Sequence, residues 1–125
     1  MKKIRLLLVG HGPRGKIWAK AIKKNSKTEL VGICDINKDL KHKNPKNIIF
    51  FHKIDSALSY LRPDAVILST PPFNRMQDLK VCAKFKLPIL VEKPLTINLE
   101  EAKRQISFMN RHKLLLFVGL NVRYL

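Results

Sequence analysis

The sequence has few acidic residues and only two cysteines. Asp and Glu together number 9 against 25 Lys and Arg, so the 125-residue chain carries a formal net charge of +16. Cys34 and Cys82 lie far apart in apolar surroundings without CxxC spacing, which argues against a redox motif or a zinc site, and we expect buried free thiols. The four histidines are scattered without the spacing of helical metal ligands, so no metal site is predicted.

Long apolar runs are also absent. The longest, such as "AVILST" and "LLLFVG", are far short of the roughly 20 residues that cross a bilayer, so no membrane span is predicted. The start "MKKIRLLLVGHG" has the positive charge of a signal peptide, but Arg5 interrupts its apolar part and a glycine turn follows. With 46% hydrophobic residues, the sequence predicts one cytoplasmic domain over residues 1–125.

The positive charge is spread along the chain. Such a balance attracts anions in general, including nucleic acids and nucleotides. The lysines, however, interrupt apolar patterns singly, as in "KIWAKAIKKN", which is typical of a solvated helix face, and no arginine-rich block or RNA-stacking motif accompanies them. We therefore do not expect a nucleic-acid partner. The charge is interpreted as a solubility feature that could also attract an anionic cofactor.

Short β-rich runs alternate with helical segments. The runs are continuously apolar, as expected of parallel strands buried on both faces. They read "KIRLLLV", "ELVGICD", "NIIFF", "AVILST", "PILVE" and "LLLFVGL". The repeated order of strand, helix and strand predicts an α/β fold with a doubly wound, parallel six-stranded sheet in a three-layer αβα arrangement.

Helix signals lie between these runs. Residues 13–25 begin with a proline and place Ile17, Trp18, Ala21 and Ile22 on one face, which we expect to pack on the sheet.

Three further helices are predicted. "SALSYL" forms a short helix with Asp55 as its N-cap, "FNRMQDLKVCAKFK" a longer one, and "NLEEAKRQISFMNRHK" a third with Asn98 as its N-cap. The polar segment "DINKDLKHKNPKN" predicts a loop with about one helical turn.

The turn after the first strand has the spacing GxGxxG. Gly10, Gly12 and Gly15 follow a predicted strand and open a predicted helix, the context that gives this common pattern its meaning. Gly10 would permit the tight turn, Gly12 would let the backbone approach a pyrophosphate, and Gly15 would let helix and strand pack closely. Amide groups at the helix start would then bind the anion. The predicted pyrophosphate-binding turn comprises Gly10, His11, Gly12, Pro13, Arg14 and Gly15, although for Arg14 a solvated position is an equal alternative.

An acidic residue closes the second strand. Asp35 stands about 20 residues after Gly15, where a carboxylate can accept hydrogen bonds from the hydroxyls of an adenosine ribose. It would repel a 2′-phosphate, which favours NAD over NADP, although Lys38 and Lys41 could also accommodate NADP. Alone, Asp35 could be a turn residue or a helix cap. Strand, glycines, helix and acid together predict a dinucleotide-binding Rossmann fold.

Three later stretches match a known family. "DAVILSTPP", "PILVEKPLTINLEEAKRQ" and "VGLNVRY" resemble, in order and spacing, the N-terminal half of the Gfo/Idh/MocA oxidoreductases, which include glucose-fructose oxidoreductase and inositol dehydrogenase. The resemblance covers essentially all 125 residues, and its specific part is "EKP" after a strand with "EEA" in the next helix. It implies NAD(P)-dependent dehydrogenation of sugar or cyclitol hydroxyls.

The resemblance implies further cofactor contacts. The turn after the fourth strand would pass under the ribose and nicotinamide of the cofactor. Asn121 and Arg123 match the stretch that leads from the sixth strand toward a substrate domain, and Asn121 is a candidate cofactor contact. The residues of the fourth-strand turn are Ser69, Thr70, Pro71 and Pro72.

Glu92, Lys93 and Pro94 form the EKP motif, the predicted catalytic element. In the family the lysine lies beside the nicotinamide and orients or protonates the substrate hydroxyl, and the Lys-Pro bond is often cis, which a tertiary amide permits at about 0.5–1 kcal/mol. Without the resemblance, the residues themselves give weaker support for a catalytic role of Lys93. It follows the carboxyl end of a buried strand, where ligands bind in α/β sheets, and burial could adapt a lysine to acid–base catalysis. Without the resemblance, Lys93 would be interpreted as a surface lysine.

The sequence departs from the family in three respects. Asn74 and Arg75 stand where a histidine is common, and Val122 replaces a commonly polar residue. The mixed α/β domain that forms the family's substrate pocket has no counterpart in residues 1–125. We therefore expect cofactor binding without catalysis by the isolated chain, and either a separate C-terminal domain or self-association through the edge of the last strand.

Two alternative functions remain open from the sequence. The chain could be a stand-alone nucleotide-binding or sensing module without turnover. A basic nucleic-acid-binding protein built on this fold is the least favoured alternative.

Overall fold

The computed structural model describes residues 2–120. Within that range no helix is long and apolar enough to cross a membrane. In chain order the elements are β1 (Ile4–Val9), α1 (Pro13–Lys24), β2 (Thr28–Cys34), a 3₁₀ helix (Lys38–Lys43), β3 (Ile49–Phe51), α2 (Ile54–Leu61), β4 (Ala65–Leu68), α3 (Arg75–Lys84), β5 (Ile89–Glu92), α4 (Leu99–Arg111) and β6 (Leu116–Gly119).

The six strands form one parallel sheet in the order β3-β2-β1-β4-β5-β6. The chain runs outward from β1 to β3 and then places β4 on the other side of β1, so the direction of winding reverses between β1 and β4. In open α/β sheets, ligands bind outside the carboxyl ends of the strands at such a point. The predicted doubly wound six-stranded Rossmann fold is confirmed.

Helices cover both faces of the sheet. α1 packs on one face with Leu6 and Leu8 of β1, whereas α2, α3 and α4 pack on the other with Leu7 and Val9. Successive residues of a strand point to opposite faces, so one continuous apolar run fills both halves of the core.

The buried face of α1 differs from the prediction. The structure buries Gly15, Ala19 and Ile22, whereas Ile17 and Ala21 are exposed. The close approach of Gly15 to the preceding turn fixes the rotation of the helix about its axis, which apolar periodicity alone does not determine.

One predicted helix cap is confirmed and one is wrong. The side chain of Asn98 caps α4 by accepting a hydrogen bond from the backbone N–H of Glu101 at 3.1 Å. In α2 the N-cap residue is Lys53, and Asp55 lies inside the first turn. The helix starts earlier than predicted because Ile54, which packs against the core, is its first residue.

Cys34 and Cys82 are free and buried, as expected. Burial is the main cause that raises the pKa of each thiol to about 12, with nearby carboxylates adding to it. Neither residue has the thiolate character that reactivity requires.

Candidate functional site

A large cavity lies at the carboxyl edge of the sheet, across the point where the winding reverses. Its volume of about 1040 Å³ is at the upper end of the usual range for small-molecule sites. Most of the predicted site residues line it. These are Gly10, Gly12, Pro13, Arg14, Asp35, Ser69, Thr70, Pro71, Pro72, Glu92 and Lys93.

Two predicted cofactor contacts within the described residues, His11 and Gly15, do not line the cavity. Asn121 and Arg123 lie outside the described residues. The His11 side chain is 2% exposed, and its Nε2 lies 3.4 Å from the carbonyl oxygen of Lys43. His11 therefore contributes to the site through its backbone.

The three glycines of the first turn have separate geometric roles. Gly10 has a φ of +96°, and a Cβ there would lie 2.9 Å from the backbone of Ser69. A Cβ at Gly15 would collide with the carbonyl oxygen of Gly10, so α1 can begin this close to β1 only with glycine. At Gly12 a Cβ would meet nothing within 4 Å, because this residue faces the open cavity.

Asp35 is held by the backbone directly after β2. Its Oδ2 accepts a hydrogen bond from the N–H of His11 at 2.8 Å, and its Oδ1 accepts one from the N–H of Asn37 at 2.9 Å. The half-buried carboxylate is therefore fixed in orientation at the β2 end of the cavity, with lone pairs left for a ligand.

Ser69 connects the turn after β4 to the glycine turn, and Thr70 follows it in the cavity wall. The Ser69 hydroxyl lies 2.8 Å from the carbonyl oxygen of Gly10 and 3.1 Å from that of Val9, so it donates across the two turns. Thr70 also lines the cavity, and its Oγ1 is buried without a hydrogen-bond partner within residues 2–120. Buried hydroxyls are normally paired, which makes Thr70 a candidate ligand contact.

These features fit a dinucleotide. The open space at Gly12 admits a pyrophosphate close to the backbone, and the first amides of α1 have no partner within the helix. The Thr70 Oγ1 and the fixed Asp35 carboxylate are polar groups available to a ligand in the cavity.

Glu92 forms a buried polar cluster with α1. Its Oε1 accepts hydrogen bonds from Arg14 at 2.6 and 3.1 Å and from the Trp18 indole at 2.8 Å, and its Oε2 accepts one from the N–H of Lys93 at 3.1 Å. Burial alone would raise the pKa of Glu92, but these donors and the charge of Arg14 together hold it below its ordinary value. The Arg14 guanidinium thus pairs with Glu92, which the sequence did not predict.

Lys93 follows Glu92 at the carboxyl end of β5 and lines the cavity. The peptide bond between Lys93 and Pro94 is cis, as the resemblance implied. The side chain is exposed, so residues 2–120 do not provide the burial that would adapt it to acid–base catalysis.

Arg75 is a site residue that the sequence did not identify. It is 1% exposed, and its guanidinium donates hydrogen bonds of 2.6 to 3.2 Å to four backbone carbonyls. Three belong to the turn around Lys93 and one to Thr70, so Arg75 ties the loop after β5 to the loop after β4. Burial is the main cause that lowers its pKa, and the charges of Asp78 and Glu92 oppose the change. The only sequence signal was its position where the family often has a histidine.

The cavity is also lined by residues that the sequence did not predict. Ile36, Leu40, Ile54 and Val81 contribute apolar surface, and Asp78 of α3 contributes a carboxyl group. Burial is the main cause that raises the pKa of Asp78 to about 6, against the opposing charge of Arg75.

Residues 4–120 match the Gfo/Idh/MocA family model, an oxidoreductase family with an NAD-binding Rossmann fold. The chain belongs to this family. As a Gfo/Idh/MocA domain it is an NAD-binding Rossmann-fold unit, and the turns that carry its glycines and its EKP motif meet at one cavity.

Relatives of this Gfo/Idh/MocA chain include dehydrogenases. The glucose-6-phosphate 3-dehydrogenase of Bacillus subtilis is 30% identical over 128 residues, which cover 100% of this chain and 35% of that protein. The myo-inositol 2-dehydrogenase of Thermotoga maritima is 26% identical, covering 97% of this chain and 37% of that protein. The chain spans little more than a third of the length of these relatives.

A solved structure shares the fold. The scyllo-inositol dehydrogenase of Lactobacillus casei, crystallised with NAD(H) and scyllo-inositol, superposes with a TM-score of 0.86 at 23% identity. The match covers 98% of this Gfo/Idh/MocA chain and 38% of that chain.

Proposed function

We propose that this chain is the cofactor-binding half of a Gfo/Idh/MocA dehydrogenase that oxidises a hydroxyl of a sugar or cyclitol. One observation carries the proposal: a single cavity collects the glycine turn, the ribose-binding candidate Asp35 and the EKP motif. The substrate class rests on the named relatives, which are dehydrogenases of glucose 6-phosphate and of inositols.

The proposed cofactor runs along the carboxyl edge of the sheet. Gly12 and the first amides of α1 bind the pyrophosphate, and Asp35 accepts hydrogen bonds from the hydroxyls of the adenosine ribose. Thr70 contacts the nicotinamide ribose, and the nicotinamide lies toward Lys93. Because the Asp35 carboxylate would repel a 2′-phosphate, NAD is preferred over NADP.

Lys93 is the proposed catalytic residue. When bound, NAD⁺ would supply the acceptor for a hydride from the carbon bearing the hydroxyl, and the Lys93 amine would accept the hydroxyl proton. Glu92 and Arg75 hold the backbone of the turn that carries Lys93. A positioned acid or base of this kind contributes about 10²- to 10⁴-fold to such reactions.

Turnover requires groups beyond this chain. Hydride transfer needs the substrate to be fixed against the cofactor in a site that excludes water. The exposure of Lys93 indicates that residues 2–120 leave this side of the cavity open. We therefore propose that a further domain, or another chain, forms the substrate pocket, and that the isolated chain binds the cofactor without catalysis.

The cofactor assignment can be tested by calorimetric titration of the full chain with NAD and NADP. Wild type should bind NAD at least about tenfold more tightly than NADP, and Asp35→Ala should reduce that ratio because the repulsion of the 2′-phosphate is removed. Asp39→Ala, an exposed acid four residues further on, is the matched control and should leave the ratio unchanged. An unchanged ratio in Asp35→Ala would disprove the ribose contact.

We also propose that the chain associates with a second copy through β6. Within residues 2–120 this strand pairs only with β5, so its outer edge is open, and Phe117 and Leu115 are 54% and 63% exposed. Open apolar edges pair readily with other chains. Sedimentation velocity should show dimers that Phe117→Lys converts to monomers, and a wild type that stays monomeric at high concentration would contradict this proposal.

A further inference from the structure

One face of α3 forms part of the cavity wall. Asn74, Asp78 and Val81 all line the cavity, and their spacing of four and three residues places them on the same side of the helix. Arg75 and Leu79 lie on the adjoining side of the helix and are buried, whereas Asp78 is half-buried. Asp78 therefore lies at the boundary between the core and the cavity.

The Asp78 carboxylate lacks a donor of its own. Within the described part of the chain, none of the side-chain hydrogen bonds involves it, although the side chain is half-buried. Arg75 is near enough to influence its charge but uses its guanidinium on backbone carbonyls. The Asp78 oxygens are accessible from the cavity, so a ligand bound there can donate a hydrogen bond to them.

Asp78 and Asp35 line the same cavity, and after burial the charges of both help to raise the pKa of Cys34, the last residue of β2. Ile36 directly follows Asp35, and Val81 lies one turn along α3 from Asp78. Both line the cavity with Ile54, and these apolar side chains suit a flat aromatic ring. With the adenosine ribose at Asp35, this ring is the purine base.

We propose that Asp78 accepts a hydrogen bond from the exocyclic amino group of adenine and makes the cleft selective for adenine dinucleotides over 6-oxopurine analogues. The inference rests on the proposed binding of the cofactor in this cavity. Adenine presents an N–H donor at position 6, whereas hypoxanthine presents a carbonyl oxygen that would face the carboxylate with both groups acting as acceptors. The proposed selectivity for adenine over hypoxanthine thus depends on the contact between Asp78 and the group at position 6 of the purine.

The test compares NAD with nicotinamide hypoxanthine dinucleotide, which differs only at the purine, by calorimetric titration of the full chain. Wild type should prefer NAD by about ten- to a hundredfold, the usual effect of a hydrogen bond to a charged group. Asp78→Asn should reduce the preference to about threefold or less, because its amide can donate to the hypoxanthine carbonyl as readily as it can accept from adenine. Asp78→Leu should abolish the preference by weakening NAD binding alone.

Glu29→Gln is the matched control, because it removes the same charge at an exposed residue that does not line the cavity. It should leave the preference for NAD unchanged. A purely structural role for Asp78 would make its variants weaken both dinucleotides equally, and that result would overturn the inference while leaving the proposed function intact. If wild type bound neither dinucleotide, the proposed function itself would fail.

Discussion

Glu92 and Asp78 both line the cavity, but their carboxyl groups differ in their hydrogen bonds. Four hydrogen bonds and the charge of Arg14 stabilise ionised Glu92, whereas Asp78 has no donor within residues 2–120 and burial raises its pKa to about 6. Glu92 is therefore a fixed negative charge that joins α1 to the EKP turn. Asp78 can change protonation near neutral pH and remains available to a ligand.

Replacing Glu92 by Gln should reduce stability in a pH-dependent manner. The amide keeps the shape but loses the charge-assisted hydrogen bonds, so the free energy of unfolding at pH 7 should fall by about 1 to 2 kcal/mol. The pKa of Glu92 is lower in the folded state, so its stabilising contribution is present above the ordinary glutamate pKa and is lost as pH falls through the folded value. Urea unfolding at pH 7 and pH 3 should show the deficit shrinking at pH 3.

Glu100→Gln is the control for this measurement, because that side chain is exposed and its ion pair with Lys103 is loose at 3.8 Å. It should change stability little at either pH. A Glu92→Gln deficit of equal size at pH 7 and pH 3 would contradict the assigned role of its charge.

The partners of Glu92 could not be predicted from the sequence. "EKP" marked the residue, but Arg14 and Trp18 are 78 and 74 positions away, and only the folded sheet brings α1 and the end of β5 together. Arg75 was similarly hidden among many basic residues. Its burial depends on the path of two loops, which local periodicity does not describe.

Arg75 joins the loop after β4 to the loop after β5. Arg75→Met should leave its four carbonyl acceptors without a donor and lower the free energy of unfolding by at least about 3 kcal/mol. Hydrogen exchange should accelerate most at residues 93–98, while amides of β2 stay protected. Arg75→Lys keeps a hydrogen-bond donor, so its exchange rates at residues 93–98 should lie between those of wild type and Arg75→Met. Equal protection of residues 93–98 in all three proteins would contradict the role of Arg75 in joining the two loops.

Two glycines of the first turn have different roles, Gly15 in folding and Gly12 in binding, and matched alanine substitutions can distinguish them. Gly15→Ala should destabilise the protein, because its Cβ would collide with the carbonyl oxygen of Gly10 and force α1 away from β1. Gly12→Ala adds the same methyl group in open space at a φ of −78°, so it should leave the thermal midpoint nearly unchanged. Thermal unfolding followed by circular dichroism measures both, and similar losses in the two variants would contradict this division of roles.

At the level of elements, the sequence predicted most of the fold. Continuous apolar runs identified all six strands, because strands buried on both faces leave an unambiguous pattern. The buried side of α1 was predicted wrongly at Ile17, since a helix in which lysines interrupt the apolar residues has more than one plausible face. The start of α2 was also wrong, because core packing of Ile54 outweighed the capping preference of Asp55.

For the whole molecule, the cavity is built for a cofactor but is open beside Lys93. Incubation of the chain with NAD⁺ and a panel of cyclitols and sugars, monitored by absorbance of the reduced nicotinamide, should show no turnover. If another domain or chain forms the substrate pocket, as proposed, the hydroxyl would not be fixed against the nicotinamide and water would not be excluded. Measurable turnover that Lys93→Met abolishes, and that the exposed control Lys103→Met retains, would show that the chain is a complete enzyme.

The central claim is that residues 4–120 bind NAD at the turn around Gly12. Calorimetric titration of the full chain with NAD tests it most directly, with Gly12→Ala as the variant that crowds the pyrophosphate position. The expected result is saturable binding of one NAD per chain by wild type, and at least about tenfold weaker binding by Gly12→Ala at an unchanged thermal midpoint. Absence of binding by wild type, or equal affinity in the two proteins, would contradict the claim.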